Sequence, residues 1–301
     1  MSSSASPLVW LGKITFFVGL FLLLAFLGGL AARLAGATLG AALTPAGVAV
    51  LVFAGVAASW VLTRRVEGRP LGSLGLRTGR EGLGDLAGGT GAGIVIIGAV
   101  VLAQALLGWV TWRPAADAGS PYVAAIAIGT LLLGAAFVEE LLFRGYPFQV
   151  LWRRFGPTAA IASTSLAFAL LHGANPNVGP LGLGNIALAG ILLGVAYERT
   201  GSLWFVTGVH LGWNWTMAVS ELSVSGIEIE MPAYDPSVAG PGIWTGGDFG
   251  PEGGLLVTLA SLAGIAWMWR LSPRDVRLSA LEDHESEATV DAPMRSNETS
   301  G

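Results

Sequence analysis

Six residues in the middle of the chain have types and spacings suited to hydrolysis: Glu139, Glu140, Arg144, His172, His210 and Asn214. Glu140 and Arg144 are four apart, so on a helix they share a face and can pair. Glu139 sits about 100° further round that helix and is left outside the pair. A carboxylate held in apolar surroundings is suited to general-base work near neutrality. Phe168 and His172 are also four apart, as are His210 and Asn214. Asn214 can therefore project beside His210, to share a substrate oxygen or orient the ring. Each feature has a plainer reading: a buried ion pair locking helices, a satisfied core histidine, an asparagine as interhelical glue. Taken together they can activate a water, hold a carbonyl oxygen and protonate a leaving amine, which are the needs of peptide-bond hydrolysis.

The elements that carry these residues are apolar. The 301 residues are 53% hydrophobic and 12% charged, about half the charged fraction of a soluble domain. The apolar side chains gather in eight runs of about bilayer-spanning length, over residues 14–32, 43–63, 86–112, 122–143, 158–176, 180–197, 202–220 and 254–272. Backbone in lipid must satisfy its own hydrogen bonds, so each run is expected to be helical. The expected fold is all-α, a polytopic transmembrane helical bundle of about eight spans with an intramembrane polar cavity. The charged groups of the fourth span would cost about 2.5–3.5 kcal/mol each near the membrane centre, a penalty that function or pairing must offset.

The expected organisation is N-terminal transmembrane helices over 1–120, a catalytic helical core over 121–220, an acidic extracytoplasmic loop over 221–253, a last transmembrane helix over 254–277 and a disordered tail over 278–301. The first run, Ile14 to Ala32, is longer than the h-region of a secretory signal and reads as a retained span. Arg64, Arg65, Arg69, Arg77 and Arg80 fall in one loop, Arg153 and Arg154 in the 144–157 loop, and Arg270, Arg274 and Arg277 near the end. The 221–253 stretch holds Glu221, Glu228, Glu230, Asp235, Asp248 and Glu252 and no Arg or Lys. The positive-inside rule then makes this a multi-pass cell-membrane protein with both termini cytoplasmic. The net charge of −4 argues against a nucleic-acid partner, and the absence of cysteine excludes thiol catalysis and disulfides. The spacings Gly84–Gly88 and Gly89–Gly93 suit close helix contact in lipid.

Glu139-Glu140-x-x-x-Arg144, Phe168-x-x-x-His172 and His210-x-x-x-Asn214 resemble, in order, the three motifs of the CAAX-protease and bacteriocin-processing (CPBP, or Abi) family. The resemblance covers about residues 120–220. It implies a membrane endopeptidase whose partners are membrane lipid and a peptide or protein substrate. By that resemblance Glu139 activates the water, Glu140 braces Arg144, His172 assists Glu139 or polarises the water, His210 and Asn214 form the oxyanion site, and Phe168 packs. Metal stays open. Glu139, His172 and His210 could hold zinc with an open position, but the H-e-x-x-H spacing of zincins is missing, so no obligatory cofactor is expected.

Other classes offer rival readings. Buried Glu and His also build proton-coupled transporters, and a non-catalytic membrane scaffold or immunity protein would need none of this chemistry. An aspartyl protease would draw on Asp85 and Asp235, which fall at or outside span ends. A serine protease of the membrane needs a G-x-S motif within an apolar span. None is present, and Ser163 and Ser165 read as helix-packing hydroxyls.

Overall fold

Proline and small polar residues set the helix starts. Pro45, Pro121, Pro157 and Pro180 each stand in the first turn of a helix, where a missing N–H costs nothing. Thr44 and Ser202 cap two other orphan donors, accepting from Gly47 N at 3.1 Å and Phe205 N at 3.2 Å. The computed structural model describes residues 7–36, 44–115, 120–231 and 234–271; the expected tail over 278–301 lies outside them. The elements are α1 (Pro7–Leu34), α2 (Pro45–Trp60), α3 (Gly79–Leu106), β1 (Val110–Pro114), α4 (Pro121–Glu140), α5 (Tyr146–Phe155), α6 (Pro157–His172), α7 (Pro180–Thr200), α8 (Leu203–Val219), β2 (Tyr234–Val238) and α9 (Leu255–Trp269).

The protein is an all-α helical bundle with one small ribbon. Each of the eight apolar runs contains a helix, but among the described residues five stretches, Leu8–Leu34, Pro45–Val66, Leu71–Leu106, Pro121–Phe155 and Pro180–Thr200, are long and apolar enough to cross a membrane. The other three helices are shorter. At 16 residues, α6 rises about 24 Å against a hydrocarbon core of about 30 Å.

Two stretches depart from the sequence reading. The third run does not stay helical to residue 112. Gly108 takes a left-handed φ of 69°, which turns the chain into β1, and β1 pairs antiparallel with β2, Trp112 opposite Pro236. The 144–157 stretch is helix rather than loop. A π-helical turn, Leu141–Gly145, carries α4 into α5, and α5 buries Tyr146, Phe148 and Gln149 while its last turn holds Arg153 and Arg154.

Helix α8 sits at the centre, packed against α3, α4 and α7. Its contact with α3 is backbone to backbone. A Cβ on Gly89 or Gly93 would run into the carbonyl oxygens of Phe205 and Val209, and one on Gly208 or Gly212 into those of Leu86 and Thr90. The Gly84–Gly88 spacing does no such work: Gly84 meets nothing within 4 Å. At the arginine-rich end, Glu67 ties α1 to α5 by accepting from Lys13 at 2.8 Å and Tyr146 at 3.0 Å and pairing with Arg153 at 3.1 Å.

Candidate active site

Three helices and the π-helical turn after α4 gather the six polar side chains, four of which line one cavity. Helix α4 ends on Glu139 and Glu140, α6 ends on His172, and α8 carries His210, between the Gly208 and Gly212 of its contact with α3, and Asn214 one turn further on. The cavity has a volume of about 200 Å³ and is lined by Glu139, His172, His210 and Asn214 together with apolar residues such as Leu132, Leu192 and Val209.

Glu140 and Arg144 are both 0% exposed and lie behind the cavity wall. Arg144 Nη1 donates to Glu140 Oε1 at 3.1 Å and Nη2 to the Gly190 carbonyl at 2.8 Å. The same Glu140 Oε1 lies 2.9 Å from His210 Nδ1. A carboxylate oxygen can only accept here, so the proton is assigned to Nδ1, and His210 Nε2 faces the cavity. His172 is fixed in the same sense. Its Nδ1 lies 2.8 Å from the Phe168 carbonyl, which assigns a proton to Nδ1 and turns Nε2 inward. Phe168 fills the space among these groups, with its ring centre 4.4 Å from that of His172, 6.0 Å from that of His210 and 5.0 Å from the Arg144 guanidinium carbon.

Glu139 is the partly open member, its side chain 33% exposed toward the cavity. Its Oε2 accepts no hydrogen bond and stands 3.9 Å from His172 Nε2 and 3.9 Å from His210 Nε2. Two zinc ligands at about 2.0–2.1 Å in tetrahedral geometry stand roughly 3.3 Å apart, closer than the two 3.9 Å separations found here. Among the described residues no group of three or more His, Cys, Asp or Glu is arranged to hold a metal ion. A water oxygen about 2.8 Å from each of two atoms 3.9 Å apart would meet them at about a right angle. Asn214 makes no side-chain hydrogen bond among the described residues, so its amide is free to meet a ligand.

Residues named for rival chemistries fall elsewhere. Asp85 pairs with Arg77 at 3.6 Å, Asp235 lies on exposed β2, and Ser163 donates to the Ala159 carbonyl at 2.6 Å.

Two features of the site escaped the sequence reading. The Glu140–His210 contact joins positions 70 residues apart, which no local spacing reveals. The 221–253 segment reads as a solvated acidic loop, yet Ser225, Ile227, Ile229 and Glu252 from it line the cavity beside Asn175 and Trp213. The one available signal was the position of Glu252 two residues before the last apolar run.

Residues 121–216 match the model of a protein family described as Type II CAAX prenyl endopeptidase Rce1-like. The matched segment is about a third of the chain, contains all six site residues and agrees with the family their motifs resemble. The match indicates a protease of the CAAX type acting on a peptide or protein, and the apolar helices indicate a membrane protein. No curated protein sequence and no solved structure gives a significant match to the chain.

Proposed function

We propose that this protein is an intramembrane endopeptidase that hydrolyses a peptide bond of a membrane-associated protein or peptide through a water activated by Glu139. The observation that carries the reading is the placement of Glu139 Oε2, without a hydrogen-bond partner, 3.9 Å from the Nε2 atoms of both His172 and His210.

A water held between Glu139 and His172 gives one proton to the Glu139 carboxylate, and its oxygen attacks the scissile carbonyl. The carbonyl oxygen becomes an oxyanion. Asn214 Nδ2–H and the Nε2–H of protonated His210 donate to it. Glu140 supports His210 in that role by accepting from Nδ1 and keeping the ring pointed inward, while Arg144 balances the Glu140 charge. The tetrahedral intermediate collapses, the C–N bond breaks, and Glu139 returns its proton to the leaving nitrogen. The products are a carboxylic acid, which keeps the water's second proton until it ionises in solution, and an amine. No step passes through a metal.

With both termini and the arginine-rich segments in the cytoplasm, the cavity opens on the opposite side of the cell membrane, because its remaining wall comes from the 221–253 segment. The apolar wall made by Leu132, Leu192 and Val209 suits a hydrophobic stretch of substrate.

The test is cleavage of a quenched fluorescent peptide by protein reconstituted in liposomes, run in ¹⁸O-water, with product masses read directly. Wild type should yield a new carboxyl terminus carrying the label, before and after chelator treatment, and Glu139→Gln should yield none. Cleavage retained by Glu139→Gln refutes the mechanism. Peptide-independent proton uptake that disappears in Glu139→Gln, with no cleavage in wild type, would make the protein a transporter. Loss of cleavage on chelation, restored by zinc, would return the metal.

A further inference from the structure

Glu252 is a buried titratable group on the cavity that the proposed chemistry leaves unused. It is 3% exposed and sits on the cavity wall, outside every motif that marks the site. Its backbone is held by α7 and α9: Asn185 Nδ2 donates to the Glu252 carbonyl at 2.7 Å and the Gly254 carbonyl at 2.9 Å, and Thr258 Oγ1 donates to Asn185 Oδ1 at 2.7 Å. Its carboxylate reaches the other way. Trp213 Nε1 donates to Oε1 at 3.0 Å, while Ser225 N and Ser225 Oγ donate to Oε2 at 2.6 and 2.8 Å.

Those partners connect to the chemistry. Trp213 lies between His210 and Asn214 on α8. The Ser225 carbonyl accepts from Asn175 Nδ2 at 2.9 Å, and Asn175 N donates to the His172 carbonyl at 3.0 Å. A continuous path of hydrogen bonds therefore runs from the end of α6, through Asn175, Ser225 and Glu252, to the middle of α8. Ser225 also holds a left-handed φ of 50°, a conformation costly for a residue with a side chain. Both its amide and its hydroxyl are taken by Glu252. Burial raises the Glu252 carboxyl pKa, against the lowering pull of the Ser225 and Trp213 donors.

We propose that Glu252 is a positioning residue for the hydrolysis: its carboxylate clamps the Ser225 segment onto α8 and so sets the separation between His172 on α6 and the His210–Asn214 pair. The proposal rests on the protease reading above and deepens it. Substituting Gln keeps the size of the side chain but puts an amide donor opposite either Trp213 Nε1–H or Ser225 N–H. One side of the clamp then opens. A displacement of about 1 Å at a catalytic group can cost on the order of 100-fold in rate.

Reconstituted full-length wild type, Glu139→Gln and Glu252→Gln are compared in one peptide-cleavage assay. Beside it, a nitroxide distance is measured between Leu171→Cys on α6 and Val219→Cys on α8, which the cysteine-free chain permits, with and without Glu252→Gln. Glu252→Gln should lower kcat about 10- to 100-fold with KM within about twofold, leave the folded fraction unchanged and broaden the α6–α8 distance distribution. Glu252→Asp, which keeps the charge, should recover part of the kcat. A wild-type kcat in Glu252→Gln, a loss of activity that only follows a loss of folded protein, or an unchanged distance distribution would each overturn the proposal. A wild type that cleaves nothing sinks the protease reading alone, and the distance measurement still decides the role of Glu252.

Discussion

Replacing Glu140 by Leu should destabilise the protein strongly, and adding Arg144→Met to the same chain should restore most of the stability without restoring activity. Glu140 Oε1 is the anionic partner of Arg144, 3.1 Å away, and both side chains are fully buried. Without it the guanidinium keeps the Gly190 carbonyl at 2.8 Å and the Phe168 ring, neither of which carries a negative charge. Removing one partner of a buried pair costs about 3–5 kcal/mol, whereas exchanging the whole pair for apolar groups is often neutral or better. At about 2 °C per kcal/mol for a chain of this size, Glu140→Leu alone should lower the melting temperature by about 6–10 °C. Arg144→Met alone should cost less, because His210 remains to pair with Glu140 at 2.9 Å. The double variant should melt well above Glu140→Leu. It should still be inactive, because His210 Nδ1 has lost its acceptor. Thermal unfolding in detergent gives the first three comparisons and peptide cleavage the last. Additive losses in the double variant would show that Glu140 and Arg144 are not energetically coupled. Recovered activity would show that Glu140 does not orient His210.

Three further outcomes follow from the same structure. Asn214→Ala should lower kcat about 10²–10³-fold, the cost of removing one oxyanion donor, with the melting temperature nearly unchanged, because its amide bonds nothing among the described residues. Gly93→Ala should destabilise the bundle, since the new Cβ meets the Val209 carbonyl, while Gly84→Ala, facing open space, should not; equal melting temperatures would contradict the close α3–α8 contact. Glu67 titrates in the acid range. Burial pushes its carboxyl pKa up, but the Lys13 hydrogen bond and the charges of Arg153 and Lys13 outweigh that and leave it below the usual value. A lowered folded-state pKa gives stability that is present above the unfolded pKa and lost as pH falls through the folded one. Wild type should therefore lose melting temperature below about pH 4.5 more steeply than Glu67→Gln.

Much of this site was legible because helical spacing is local. The three i,i+4 pairs place Glu140 with Arg144, Phe168 with His172 and His210 with Asn214 on single helix faces, and an apolar run makes each polar group conspicuous. The Gly89–Gly93 spacing announced a close helix contact, and its partner, Gly208 and Gly212 on α8, has the same four-residue spacing, but it lies more than 100 residues away and nothing local says that the two pairs meet. What stayed hidden depends on long-range packing. Arg144, Gly145 and Pro147 end the apolar run at the π-helical turn Leu141–Gly145, so α4 gave no sign of continuing into α5, and the stretch that follows, with Arg153 and Arg154 near its end, read as loop. Ribbon β1–β2 pairs segments 124 residues apart, one of them holding Pro236, which argues against a strand. Glu252 was masked by its neighbours: five other acidic residues between 221 and 253 made it one of a solvated set, and only the folded chain separates it from them.

The central claim is that three membrane-embedded helices bring one carboxylate and two imidazoles to a common point, and cross-linking tests it most directly. The chain has no native cysteine, so the pairs Glu139→Cys with His172→Cys and Glu139→Cys with His210→Cys can each be treated with a short bis-methanethiosulfonate in native membranes. Both pairs should cross-link with similar efficiency, and Glu139→Cys with Ser163→Cys, on the other side of α6, should not. If neither active-site pair forms a link while each single cysteine is accessible to reagent, the helices do not converge as described and the hydrolytic site does not exist.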